Sequence, residues 1–245
     1  MKFPSLTYRE LLVALGIVAT LAVAAMPAVV HSREARKVGS CANNMKQVGL
    51  AVKMFMGESS RGEMPPLSPV RNNWMLDGTA IFGEYLTDPT ALVCPASLRK
   101  ETNPFADHEG RFRPECVSSV SYLYTGYVLL DDAHAFALLE AYQRDPGPVI
   151  RRENVKISLP PWGQTQQGGA SQSMIPVLWD RVSVDDALMS HRQPVGANIL
   201  HMDGHVEFVK YSPQNPHGFF PVTLVSAQTY GASWPDMPPH CQSMR

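Results

Sequence analysis

The chain has 245 residues, 44% of them hydrophobic and 18% charged, and its 21 basic and 22 acidic side chains leave a formal net charge of −1. That composition excludes wholesale disorder, and the lack of a basic excess excludes the charge stripe of a nucleic-acid-binding protein. The 21 prolines and 17 glycines predict a soluble part rich in loops and short strands rather than a helical bundle.

The first element is the run LTYRELLVALGIVATLAVAAMPAVV, residues 6–30. From Leu11 to Val30 it carries no charge, and a helix of about 20 residues spans roughly 30 Å, the thickness of a bilayer core. A cleaved secretory signal is the competing reading. Its apolar part is shorter, roughly 7–15 residues, and it ends at a small-x-small site, which Ala22, Ala24, Ala25 and Ala28 supply. Against it, the apolar run passes without a break into a second pattern. Val38, Cys41, Met45, Val48, Val52 and Phe55 recur every three or four residues, the stripe of an amphipathic helix. Arg36, Lys37, Asn43, Asn44, Lys46, Gln47 and Lys53 occupy its other face. One helix is therefore expected from Leu6 to Phe55 or Met56, kinked at Pro27 and ended by Gly57 and the polar residues after it. Glu10 stands at the mouth of the apolar run, where a charge is costly and calls for a cationic partner.

In the remainder, Trp74 to Ala96 reads as a short helix and a turn. Val120 to Val128, VSYLYTGYV, reads as a strand. Asp131 to Arg144 reads as a helix capped by Asp131 or Asp132 and stopped by Asp145-Pro146-Gly147. Val149 to Ser173 reads as a long loop. Ile175 to Trp179 is a short strand. Asn198–Met202 and His205–Val209 flank Asp203-Gly204, which predicts a hairpin with a two-residue turn. The tail after Ser212 is Pro-rich and reads as mostly loop. The fold class expected is α+β, a long N-terminal helix packed on a small antiparallel sheet.

Four cysteines, Cys41, Cys94, Cys116 and Cys241, allow three full pairings, and none forms a CxxC pair. The expected bridge is Cys94–Cys116, with unpaired thiols as the alternative. His191, His201, Asp203 and His205, with Asp180 upstream, are the metal-ligand candidates. A two-residue turn sets Met202 opposite His205 and His201 opposite Val206, placing the histidines on opposite faces, so no metal site is favoured. GxSxG, P-loop, HExxH and GxGxxG motifs are missing, and the expectation is that the chain is not an enzyme.

The N-terminus resembles that of type IV prepilins and type II secretion pseudopilins. In that family a prepilin peptidase removes a short leader, the new N-terminus is methylated, and a glutamate lies four residues beyond it. Counting back from Glu10 puts the cut after Ser5 and the new N-terminus at Leu6. Counting forward, Pro27 falls where the family also has a proline. Ser5, Leu6 and Arg9 depart from the usual Gly, Phe and apolar residue. Ser40–Val52, SCANNMKQVGLAV, resembles the CxxNLKQIGLA stretch of a prepilin-like subfamily. Tyr85-Leu86 with Asp88-Pro89 and Cys94-Pro95 resembles its "YL…DP…CP" segment. His191 followed by Gly196–Phe208, GANILHMDGHVEF, resembles its C-terminal His…Asp-Gly signature, with a longer loop before the strand.

The resemblance implies a leader at 1–5, a transmembrane segment at 6–30, its amphipathic continuation at 31–57 and a pilin-like α+β periplasmic domain at 58–245. It implies a structural subunit of a type II secretion or type IV pilus-like assembly in the bacterial inner membrane. The partners would be prepilin peptidase, other pilin-like subunits, an inner-membrane assembly platform and the lipid bilayer, with no nucleic acid. It implies no catalytic residue and no required cofactor. Calcium is the ion it suggests, with Asp180, Asp185, Asp186 and Asp203 as candidates. The alternative is a membrane-anchored extracytoplasmic binding module that keeps the prepilin-like N-terminus for export alone, with its ligand site at Asn103–Pro114 or Gly147–Ser173. A metal-dependent hydrolase using the histidines is the remotest reading.

Overall fold

The computed structural model describes residues 7–60, 62–97, 105–151, 171–185, 188–212 and 218–241. The chain divides into two units, Met1–Arg36 and Lys37–Arg245.

Helix α1 is Tyr8–Glu58 and contains Pro27. In the first unit its apolar side chains are open to the surroundings: Leu11, Val13, Ile17, Val18, Leu21 and Val23 are all exposed. This stretch is long and apolar enough to cross a membrane. In the second unit the predicted stripe is the buried one. Cys41, Met45, Val48, Ala51 and Val52 enter the core, and Phe55 stacks edge-on against Tyr85 with ring centroids 5.5 Å apart. Gly49 permits close packing on the sheet, since a Cβ there would lie 3.0 Å from Leu200 Cδ2. At the end of α1, Glu58 accepts a 2.7 Å hydrogen bond from the Tyr85 hydroxyl, and that bond raises the Tyr85 pKa to about 12.

The remaining helices are α2 Gly78–Ile81, α3 Asp132–Arg144, α4 Pro146–Arg151 and α5 Leu224–Thr229. Asp131 caps α3 by accepting from the His134 N–H, which settles the choice between Asp131 and Asp132. Asp145-Pro146-Gly147 stops α3 as expected, Arg144 being its last residue, but the loop expected from Val149 does not begin there. Pro146 starts α4, as proline does well at a first helical position, so Val149–Arg151 is helical and residues 152–170 lie outside the described ones. The tail contains α5, capped by Thr223, and Tyr230 just beyond it is buried. Trp74 is the hub of this side of the core, with Tyr142 and Tyr230 each 4.6 Å away between ring centroids.

The sheet is wholly antiparallel: β1 Tyr122–Tyr124, β2 Pro176–Asp180, β3 His191–Arg192, β4 Val195–His201 and β5 Val206–Lys210. β1 pairs β2, and β2 pairs β4. Gly196 of β4 is opposite both His191 and Lys210, so β3 continues the β2 edge of β4 while β5 covers the other. The long helix and small antiparallel sheet match the α+β class expected from sequence.

The disulfides correct the expected Cys94–Cys116 bridge. Cys41 pairs with Cys94, and Cys116 with Cys241. The first ties the buried stripe of α1 to the loop after Leu92. The second ties the chain's C-terminal segment to the loop before β1.

Candidate functional site

Three clusters of side chains carry chemistry among the described residues.

The first is at the start of α1. Thr7 and Glu10 form a reciprocal cap: the Thr7 N–H and hydroxyl donate to Glu10 Oε2 at 2.8 and 2.9 Å, and the Glu10 N–H reaches Thr7 Oγ1 at 3.5 Å. This is the Thr-x-x-Glu box that satisfies free N–H groups at a helix start. Both side-chain bonds fall on Oε2, and Oε1 takes none among the described residues. Ser5 and Leu6 lie outside the described residues; Pro27 lies within α1.

The second cluster is buried where α1, β2, β3 and β4 meet. Asp180 ends β2 and is fully buried, and His191 opens β3 and is 2% exposed. Asp180 Oδ2 takes three contacts: from the Asn198 N–H at 2.8 Å, from Asn198 Nδ2 at 2.7 Å and from His191 Nε2 at 2.9 Å. Asn198 Nδ2 also lies 3.3 Å from the Val38 carbonyl of α1. The Cys94 sulfur of the Cys41–Cys94 bridge lies 3.4 Å from His191 Nε2. The Tyr122 hydroxyl is buried nearby, and burial first, then the Asp180 charge, raises its pKa. Two residues of the C-terminal signature, His191 and Asn198, and its upstream aspartate thus form a polar knot joining helix to sheet. A single buried carboxylate, unable to rehydrate, holds three donors in fixed places.

Next to the knot, Arg181 is fully buried, a residue the sequence reading passed over. Its guanidinium donates to the carbonyls of Ser119 at 2.6 Å, Gly231 at 2.9 Å and Ser233, and lies 5.5 Å from the Trp234 ring centroid. It fixes the C-terminal segment against β2.

The third cluster is the β4–β5 hairpin, and it overturns the expected turn. Leu200 pairs with Val206, and the His201 N–H donates to the His205 carbonyl at 2.9 Å. The turn therefore has three residues, Met202-Asp203-Gly204, with Gly204 at φ +98°. Glycine is favoured at that left-handed position, and Asp203 Oδ1 accepts the His205 N–H at 3.0 Å to close the turn. His201 and His205 are then directly opposite and on one face. Their rings stack at 4.2 Å and 3°, rather than pointing apart. His201 Nε2 lies 3.0 Å from Glu207 Oε1, and His205 Nδ1 lies 2.6 Å from Asp203 Oδ1. Burial, then the neighbouring His205, lowers the His201 pKa, which favours the neutral ring.

Of the calcium candidates, Asp180 is held in the buried knot, Asp203 serves the hairpin turn, and Asp186 lies outside the described residues. Of the segments suggested for ligand binding, residues 103 and 104 and 152–170 also lie outside the described residues. The rest of the first is organised by Asp107. Its Oδ1 accepts the N–H groups of Glu109 and Arg111 at 2.9 Å each, and its Oδ2 faces Arg111 Nε at 3.1 Å and Arg113 Nε at 2.9 Å.

These contacts, led by the Arg111 N–H, hold the Asp107 carboxyl well below the usual carboxylate range. A depressed folded-state pKa contributes stability that is complete above the unfolded value near 4 and is lost as pH falls toward the folded value. Wild-type melting temperature is therefore expected to drop on acidification below about pH 4. Asp107→Asn should start lower at pH 7 and fall less over that acid range. Parallel curves would show that Asp107 does not contribute.

No known protein family, curated relative or solved structure matches this chain.

Proposed function

We propose that this chain is a pilin-like structural subunit, of the pseudopilin kind, and not an enzyme. In this reading prepilin peptidase cuts after Ser5, and Leu6 becomes the new, methylated N-terminus. Residues 6–30 hold the chain in the bacterial inner membrane, with the α+β domain on the periplasmic side. The N-terminal helix then joins other pilin-like subunits on an inner-membrane platform, in a type II secretion or type IV pilus-like assembly. The observation that carries the proposal is the division of α1. Its first half is apolar and exposed from Leu11 onward, and its second half buries Cys41, Met45, Val48 and Val52 in a sheet domain. An exposed apolar helix needs lipid or like helices around it, and the buried half gives that helix a rigid load to carry. The two disulfides suit an oxidising compartment outside the cytoplasm. The Glu10 carboxylate is the anion available to the Leu6 ammonium of a neighbouring subunit, and burial of that pair offsets part of each charge's desolvation cost.

The test is in-membrane crosslinking of the full chain in cells with and without an active prepilin peptidase. A ladder of multimers that depends on the peptidase is the expected result. Monomer alone in both strains contradicts assembly and leaves the anchored binding module as the better reading.

A further inference from the structure

We propose that the β4–β5 hairpin is a binding site for a divalent transition metal ion of the zinc class, with His201, His205 and Glu207 as ligands. This inference does not depend on the membrane or assembly reading. Three features support it together. The ligand atoms of the three residues all lie within 4.8 Å of one another, and His201 Nε2 and Glu207 Oε1 are already 3.0 Å apart. That separation suits two atoms each about 2.0–2.2 Å from one zinc ion. The ring of His205 is 43% exposed, while the His201 side chain is fully buried. The His201 side is thus a fixed floor, and because the two rings stack parallel at 4.2 Å, the His205 ring must turn toward that floor for both nitrogens to reach one ion.

The second feature is the partner of His205. Its Nδ1 lies 2.6 Å from Asp203 Oδ1, so the carboxylate holds the proton on Nδ1 and leaves the Nε2 lone pair for a metal. This carboxylate–histidine arrangement is the usual support of a metal-bound imidazole. The third is the backbone. The three-residue turn, with Gly204 at φ +98°, is what sets the two histidines face to face, and Glu207 follows His205 by two residues on the same side of β5.

Donor type selects the metal. Two imidazoles and one carboxylate suit zinc, nickel or copper, whereas calcium and magnesium prefer all-oxygen sites. Lys53 is the nearby cation, and its ammonium donates to the Asp203 carbonyl at 2.6 Å. Its single charge offsets only one of the two carboxylates, Asp203 and Glu207. Three protein ligands leave coordination positions for water or for a group from another molecule.

The experiment is zinc titration of the untagged full chain in detergent, with no reductant, followed by competition against a chromophoric chelator. One zinc ion per chain is expected, with no comparable response to calcium. His205→Ala and Glu207→Gln should each weaken binding at least tenfold, and Asp203→Asn by about 10–100-fold. His134→Ala and His240→Ala, which alter a half-buried and an exposed histidine elsewhere, should leave it unchanged. Circular dichroism of each variant checks that the fold is retained. His201 is left intact because its burial makes it part of the fold. Absence of saturable zinc binding overturns the proposal, as does binding that survives in both His205→Ala and Glu207→Gln.

Discussion

Glu10→Ala should insert in the membrane as well as wild type but lose assembly, cutting the crosslinked multimer by roughly a hundredfold or more, the factor that corresponds to about 3–5 kcal/mol for a buried charge left without its partner. The structure complicates the obvious interpretation, because Glu10 also caps its own helix through Thr7. An exposed cap is worth about 1 kcal/mol, too little for that loss. Glu10→Gln separates the two roles. Glutamine serves equally in the capping box but carries no charge for the Leu6 ammonium of a neighbour. If charge pairing sets the register between subunits, Glu10→Gln fails to assemble as Glu10→Ala does. Wild-type multimers from Glu10→Gln would reduce Glu10 to a helix cap.

Asp180→Ala should destabilise the Lys37–Arg245 unit by about 3–5 kcal/mol, because it strips the acceptor from three buried contacts at once. For a unit of this size that corresponds to a fall in melting temperature of roughly 10 °C. Asn198 loses the acceptor of its N–H and the nearer acceptor of its side-chain amide, and His191 loses its carboxylate. Asp180→Asn keeps the shape and one acceptor oxygen and should fall between. Thermal unfolding of the full chain in detergent, with both disulfides oxidised, reads the series. An Asp180→Ala protein that melts within about 2 °C of wild type would show that the knot does not hold helix to sheet.

The sequence carried the helical half of the fold well. The three-and-four spacing from Val38 to Phe55 reports a buried face directly, since burial is the cause of that spacing. Asp131 was legible as a cap for the same local reason. The sheet was harder. β3 is two residues long and exists because His191 lies opposite Gly196, a non-local pairing with no periodicity of its own. The hairpin showed the cost of one misplaced residue. Asp-Gly fits a two-residue turn, but here Met202 joins the turn and Gly204 takes its last, left-handed position, a pattern equally available to three-residue loops. That one-residue change carries His201 and His205 to the same face, turning a dispersed set of histidines into a candidate metal site. The disulfides were not legible, because pairing depends on which loops the tertiary fold brings together. The buried knot was half legible. The sequence marks His191 and Asn198 as part of a signature and Asp180 as upstream of it, but their convergence on one carboxylate oxygen is a property of the folded sheet.

The mass of the N-terminal peptide after purification from membranes distinguishes a processed pilin-like subunit from the alternatives. A processed subunit begins at N-methylated Leu6. A chain that keeps Met1, or one that begins near Ala25, contradicts it.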